Sequence, residues 1–445
     1  MKSTTPSLQG WQAHKHLLTL AFPMILANST TPLLGLVDTA VMGHMDSAAM
    51  LAGASIGALI LTQLYWVCGF LRMSTTGLSA QAKGNPREPV LQSAKVLWQT
   101  AGVAALLGLV IVALQWPLWQ VGMGLAAPPA EVATHAQAYF SVRVWGAPAA
   151  LLNLVLIGWL VGQQKTRTVL VIQVVGNLLN AVSDLVLVLG LQMSVPGVAL
   201  ASVLAEYAMM GMAGAFALRM CAGVAPHRDW FNAAARRMLL KLNGNMLIRN
   251  LALQACLAFV TLQGARLGET AAAVNALLMQ FFVLIALGLD GIAYAVEALV
   301  GEAVGAGQAK QVVVQTQQGL LWSTVFALVY AVGFFSGGPS LLRLLTDLDD
   351  LYRAALPYLP LMVALPLLAH WCFLFDGVFV GLTRSAPMRD TMVVSALLVF
   401  FPVWWFTRQH GNVALWYAML AFLLARGITL GGFFWRLTRR QAWLR

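Results

Sequence analysis

Residues 147–190 read APAALLNLVLIGWLVGQQKTRTVLVIQVVGNLLNAVSDLVLVLG. Two continuous apolar runs, each close to the ~20 residues that cross the hydrocarbon of a bilayer, meet at a short basic turn carrying Lys165 and Arg167. This is a transmembrane helical hairpin, and the pattern continues on both sides of it. Of the 445 residues 60% are hydrophobic and only 10% charged, whereas soluble domains carry roughly 25% charge. Mean hydropathy is +0.76. The runs are too long and too continuously apolar for the alternating ~10-residue strands of a barrel, and in lipid only helices and closed barrels satisfy their own backbone. The fold class is therefore an all-α polytopic membrane protein.

Hydropathy and turn residues place spans at 16–42, 51–81, 94–117, 134–163, 167–190, 196–220, 242–266, 271–304, 314–337, 352–382, 387–407 and 411–436, about twelve helices. The segment 17–27 has the length of a signal-peptide core, but the pattern runs on through Pro32 and Val37 without a cleavage site. Basic residues resist translocation. They crowd the even-numbered turns (Lys83, Arg87, Lys165, Arg167, Arg384, Arg389), the 228–241 segment and the ends (Lys2, Arg445), while Arg266, Arg343, Arg353 and Arg408 fall on the other face. Both termini are expected in the cytoplasm, in a bacterial inner membrane. The net charge of +11 points to anionic headgroups of membrane lipids and, without basic tracts interleaved with aromatics, to no nucleic acid. Four dispersed cysteines and seven scattered histidines give no metal or disulfide spacing, and no cofactor is expected.

Sliding the chain on itself by 219 residues lays Tyr139, Gly158 and Gly162 on Tyr358, Gly377 and Gly381, and a shift of 221 lays Gly84 on Gly305. Such repeats are how many transporters build two access states. Six helices per repeat put both halves in the same orientation, so the expected architecture is two six-helix lobes, 1–220 and 242–445, joined by a cytoplasmic loop at 221–241 and related by a pseudo-two-fold along the membrane normal. A monomer is the expected unit.

Polar groups inside spans are costly and mark function. On helix 1, Asn28, Thr31, Gly35 and Asp38 follow one helical stripe; on helix 5, Asn177, Asn180 and Asp184 follow another. At 1.5 Å per residue from the basic anchors, Asp184 lies at about 25 Å, Asn180 at about 20 Å, Asn153 at about 18 Å and Asp38 near 34 Å. Together they are expected to line a cavity in the outer half of the N-terminal lobe, with Tyr139 near its mouth. Two carboxylates in a low-dielectric cavity do not both ionise cheaply, so the site suits a proton that comes and goes; carboxylate and amide oxygens equally suit sodium. Pro23 and Pro32 remove backbone donors from helix 1 and favour a bend there.

These residues resemble the multidrug and toxic compound extrusion family, specifically its DinF-type branch. The matching stretches are LAFPMILANSTTPLLGLVDTAVMGH (20–44), RMSTTGLSAQAKG (72–84), the N-x-x-N-x-x-x-D of Asn177, Asn180 and Asp184, IRNLALQ around Arg249, and GLDGIAYAVEALVGEAVGAG (288–307). The resemblance implies export of small amphipathic, often cationic compounds by alternating access, driven by inward flow of protons or sodium. It also implies that Asp38, Asn180, Asp184, Asn153 and Tyr139 form the cation site, with Pro23 as the bend. One departure stands out: NorM-type members look for sodium at an acidic residue on helix 7, where this chain has Arg249.

The C-terminal half carries a charged cluster of Arg249, Asp290, Glu297 and Asp376. Arg249 and Asp376 both fall about 12 Å above the cytoplasmic edge, so an interior pair of Arg249 with Asp376 or Glu297 is expected, structural or gating in role. Arg72, Arg143, Glu206 and Arg426 are further intramembrane charges whose role the sequence leaves open. Met209, Met210, Met212, Met279, Phe281 and Phe282 offer soft surfaces for varied hydrophobic cations. A lipid-linked-precursor flippase of the same superfamily is the alternative, but it calls for more spans and a cationic cavity. A channel lacks a repeated filter motif, and an enzyme lacks any nucleophile with its base.

Overall fold

A computed structural model describes residues 10–440 and 442; Lys2 and Arg445 lie outside the described residues. Among these, twelve helices are long and apolar enough to cross a membrane: α1 Trp11–Gly43, α2 Ala48–Lys83, α3 Pro89–Ala113, α4 Ala130–Gly162, α5 Thr166–Gly190, α6 Ser194–Met220, α7 Ala233–Arg266, α8 Glu269–Gly305, α9 Ala309–Leu345, α10 Asp349–Gly381, α11 Ser385–His410 and α12 Val413–Arg440. A short helix, Gln115–Ala126, which hydropathy alone merges into the end of the third span, joins α3 to α4.

Several spans are not uniform. A turn at Cys68 and Gly69 interrupts α2, a 3-10 turn at Val144–Gly146 interrupts α4, and α5 changes from α to π geometry at Leu185–Gly190. Ser47 caps α2 by accepting from the Met50 N–H at 3.3 Å, and Pro89 stands in the first turn of α3, where its missing N–H costs nothing. Helix α1 runs through Pro23 and Pro32 without a break in its assignment.

The chain divides into two compact units. One holds Leu26–Leu240; the other holds Lys241–Arg445 together with the chain up to Ile25. The division therefore falls inside α1, two residues after Pro23. In the second unit the first half of α1 is held by Trp322 Nε1 donating to His14 Nδ1 at 3.0 Å, by Phe22 against Phe326, and by Ile25 seated on Gly291.

Within each unit one helix is central: α4 packs on α2, α3 and α6, and α10 on α8, α9 and α12. The same contacts fix both. A Cβ on Gly158 would meet the Arg72 carbonyl at 2.6 Å and one on Gly162 the Thr76 carbonyl at 2.7 Å. In the other unit Gly377 would meet the Ala293 carbonyl at 2.7 Å and Gly381 that of Glu297 at 2.8 Å. The helix ends match as well. Lys165 N bonds Leu160 O at 2.9 Å across Gln164, and Arg384 N bonds Phe379 O at 3.1 Å across Thr383, the long return bond of a Schellman cap.

Candidate functional site

Helix α5 keeps α geometry through Asp184 and opens into the π turn on the next residue; such π insertions recur at functional sites. Asp184 is fully buried, Asn180, Asn153 and Tyr139 nearly so, and Asp38 is half-buried. The Asp38 and Asp184 carboxyls come within hydrogen-bonding range of each other. Among the described residues, no donor reaches Asp38 Oδ1, either oxygen of Asp184, Asn180 Oδ1 or Asn153 Oδ1. Five buried acceptors without donors, on α1, α4 and α5, are an electrostatic deficit. Carboxylates only accept, so the two aspartates satisfy one another only with a proton or a cation between them.

The neighbouring residues take more specific places than their spacing gives. Asn177 Nδ2 donates to Thr30 Oγ1 at 2.8 Å, so α1 turns to α5 the face of Thr30, Leu33, Leu34 and Val37, which lines an apolar groove of about 190 Å³. Thr31 and Gly35, on the stripe that carries Asp38, are exposed. Tyr139 is not at an open mouth: it is buried in a cluster with Val41, Met42, Val188 and Val195, which closes the two helices just beyond their aspartates. Asn153 gives Nδ2 to the Glu206 carbonyl at 2.9 Å.

That last contact leads to a pair whose role the sequence left open. Arg143 Nη1 donates to Glu206 Oε2 at 2.7 Å and Nη2 to Oε1 at 2.5 Å, a bidentate fork between α4 and α6. The 3-10 turn after Arg143 brings Gly146 against Glu206, so close that a Cβ would meet Oε2 at 2.5 Å. The Tyr65 ring lies 5.6 Å from the guanidinium carbon. Counted from their basic anchors the two residues sit at about 33 Å and 20 Å; side-chain length covers the difference, so depth alone could not match them.

In the other unit Arg249 Nη2 contacts Asp376 Oδ2 at 2.6 Å, one of the two pairings open to Arg249. Arg426 Nη2 binds the same oxygen, which the sequence did not foresee. Asp290 also lies within electrostatic reach of this group around the buried Cys372. Glu297 is buried on α8, its carbonyl against Gly381. Above them Asn275 and Asn412 exchange amide bonds at 2.9 and 2.7 Å, with Tyr358 and Trp416 completing the network. Phe281 is packed in the core against Phe334, and Met209 fills the space over Gly176, so neither is free to line a cavity.

Twelve spans, a central helix in each unit and a buried acceptor cluster define a multi-pass membrane transporter. The family described as MatE matches residues 23–186 and 246–406, and the chain belongs to it. It is 40% identical to DNA damage-inducible protein F of Escherichia coli strain K12 over 96% of this chain and 94% of that one. It is 26% identical to the probable multidrug resistance protein NorM of Pseudomonas putida, covering 96% and 95%. A solved outward-facing multidrug resistance MATE family transporter of the MOP superfamily superposes with TM-score 0.83 over 97% of both chains at 17% identity.

Proposed function

We propose that this chain is a secondary active exporter that couples inward movement of a proton, with sodium as the alternative ion, to efflux of amphipathic, often cationic compounds. It works by alternating access in a bacterial inner membrane, with both termini in the cytoplasm. The carrying observation is the set of buried oxygens without donors around Asp38 and Asp184. Emptied of a cation, two carboxylates in low dielectric repel each other and want solvent or a counter-charge; filled, they come together and tie α1 to α5. A site that changes helix packing with its occupancy is what ion-driven transport requires.

Relatives named for multidrug resistance support the substrate class. The division of α1 near Pro23 supports a bend there, because the proline leaves the Thr19 carbonyl without its helical donor. The test is ethidium efflux in proteoliposomes under an imposed pH gradient or an imposed sodium gradient, repeated for Asp38→Asn and Asp184→Asn. Loss of gradient-driven efflux in each variant is expected; coupled efflux retained by both would refute the reading.

A further inference from the structure

The Arg143–Glu206 pair joins two membrane spans, α4 and α6, in a setting where charge is costly. Holding the two helices together does not explain it. Apolar contact would do so at lower cost, and Asn153 already ties α4 to the Glu206 main chain. Its surroundings are those of a receptor for an organic cation. There is a carboxylate, Glu206, and an aromatic ring, Tyr65, 5.6 Å from the cationic carbon, the combination that recognises such cations. The Tyr65 hydroxyl is buried without a partner among the described residues. The pair is not sealed either, since the two side chains keep 14% and 18% of their exposure. Asp38 and Tyr139 both lie within electrostatic reach of the same guanidinium.

We infer that Glu206 is the carboxylate that receives the cationic group of the exported compound, and that Arg143 holds its place while the site is empty of it. The inference rests on the ion-coupled export reading and deepens it. Arg143 is forked to Glu206 and within electrostatic reach of Asp38, so two anionic sites compete for one cation. With a coupling cation between the aspartates, Glu206 is the stronger anion and keeps the guanidinium. When that cation leaves, the bare aspartates draw Arg143 across, and Glu206 with Tyr65 opens to the substrate. Return of the cation sends Arg143 back and displaces the compound. One side chain thus makes the two occupancies mutually exclusive, the negative coupling that exchange in opposite directions needs.

The test is equilibrium binding of ethidium, followed by fluorescence anisotropy, to the purified full-length protein in nanodiscs without any gradient. Glu206→Gln is expected to weaken binding about tenfold or more, the worth of a charge-assisted contact. Arg143→Gln, which uncovers Glu206, is expected to keep or tighten binding and to lose the weakening that added coupling cation causes in the unmodified protein. Because a single variant leaves a buried charge alone, the neutral double variant Arg143→Gln/Glu206→Gln is measured beside them, with folding checked by gel filtration. Ethidium bound with unchanged Kd by folded double variant would overturn the assignment; a tenfold loss there supports it. Binding that depends on Glu206 without gradient-driven efflux would sink the exporter reading alone.

Discussion

Gln164 and Thr383, 219 residues apart in sequence, take the same left-handed backbone, with φ of 62° and 54°. Each closes the end of its unit's central helix, and neither is the glycine such a position favours. For a β-branched residue the conformation is a genuine outlier. Thr383→Gly is expected to stabilise the protein by about 1 kcal/mol and Gln164→Gly by less. Thermal unfolding in detergent reads the difference as two upward shifts in Tm of unequal size.

The glycines that seat these helices allow no such freedom. Gly158 and Gly377 face main-chain carbonyls at 2.6 and 2.7 Å from any added Cβ, and backbone cannot step aside as a side chain can. Gly158→Leu and Gly377→Leu should each cost about 3 kcal/mol, seen as a lowered Tm and reduced yield of monodisperse protein. Gly211→Ala, with nothing within 4 Å of the new methyl, should be tolerated.

Asp376 gives one oxygen to both Arg249 and Arg426. Asp376→Asn removes the shared anion from two buried cations and is expected to cost about 3–5 kcal/mol. If the group is scaffolding, efflux per folded molecule in proteoliposomes stays unchanged while stability falls. A loss of efflux from fully folded protein would instead make it part of the transport path.

The Asn177–Thr30 bond joins α1 to α5 near the proposed cation site. Asn177→Ala and Thr30→Val should each cost about 1 kcal/mol, and the double variant little more than either, because both remove one bond. Additive losses in a double-mutant cycle would show that the residues act separately.

The membrane class, the twelve spans and the repeat were legible because lipid imposes long apolar runs and because helix ends and crossings recur at fixed offsets. Gly158 and Gly377 carried the repeat in sequence, and their carbonyl contacts are what it meant in space. The aspartates stood out because a carboxylate inside a span is rare. Arg143 and Glu206 were equally visible as charges but not as partners, since a 3-10 turn and two long side chains defeat a ruler of 1.5 Å per residue. Arg249 and Asp376 succumbed to that ruler because their anchors lie close by. Which of Thr30 and Thr31 faces α5 was beyond the pattern, for one residue of helical phase separates them and both are threonine. The repeat-mates Tyr139 and Tyr358 diverge for a related reason. One sits near acceptors that lack donors, the other in an amide network fully supplied with them, and no spacing records that difference.

The division of α1 has a bearing on how the chain is made. The first half of this helix leaves the ribosome well ahead of the helices it packs on, for His14 bonds Trp322, 308 positions later, and Ile25 rests on Gly291. Its partners do not exist until most of translation is over. This half-helix must therefore wait in the bilayer, held in place by its own hydrophobicity, for helices α8 and α9 to be inserted. A gene cut in the 221–241 loop would thus encode a second polypeptide lacking the half-helix that completes its unit, and it should accumulate only when the first is produced in the same cell.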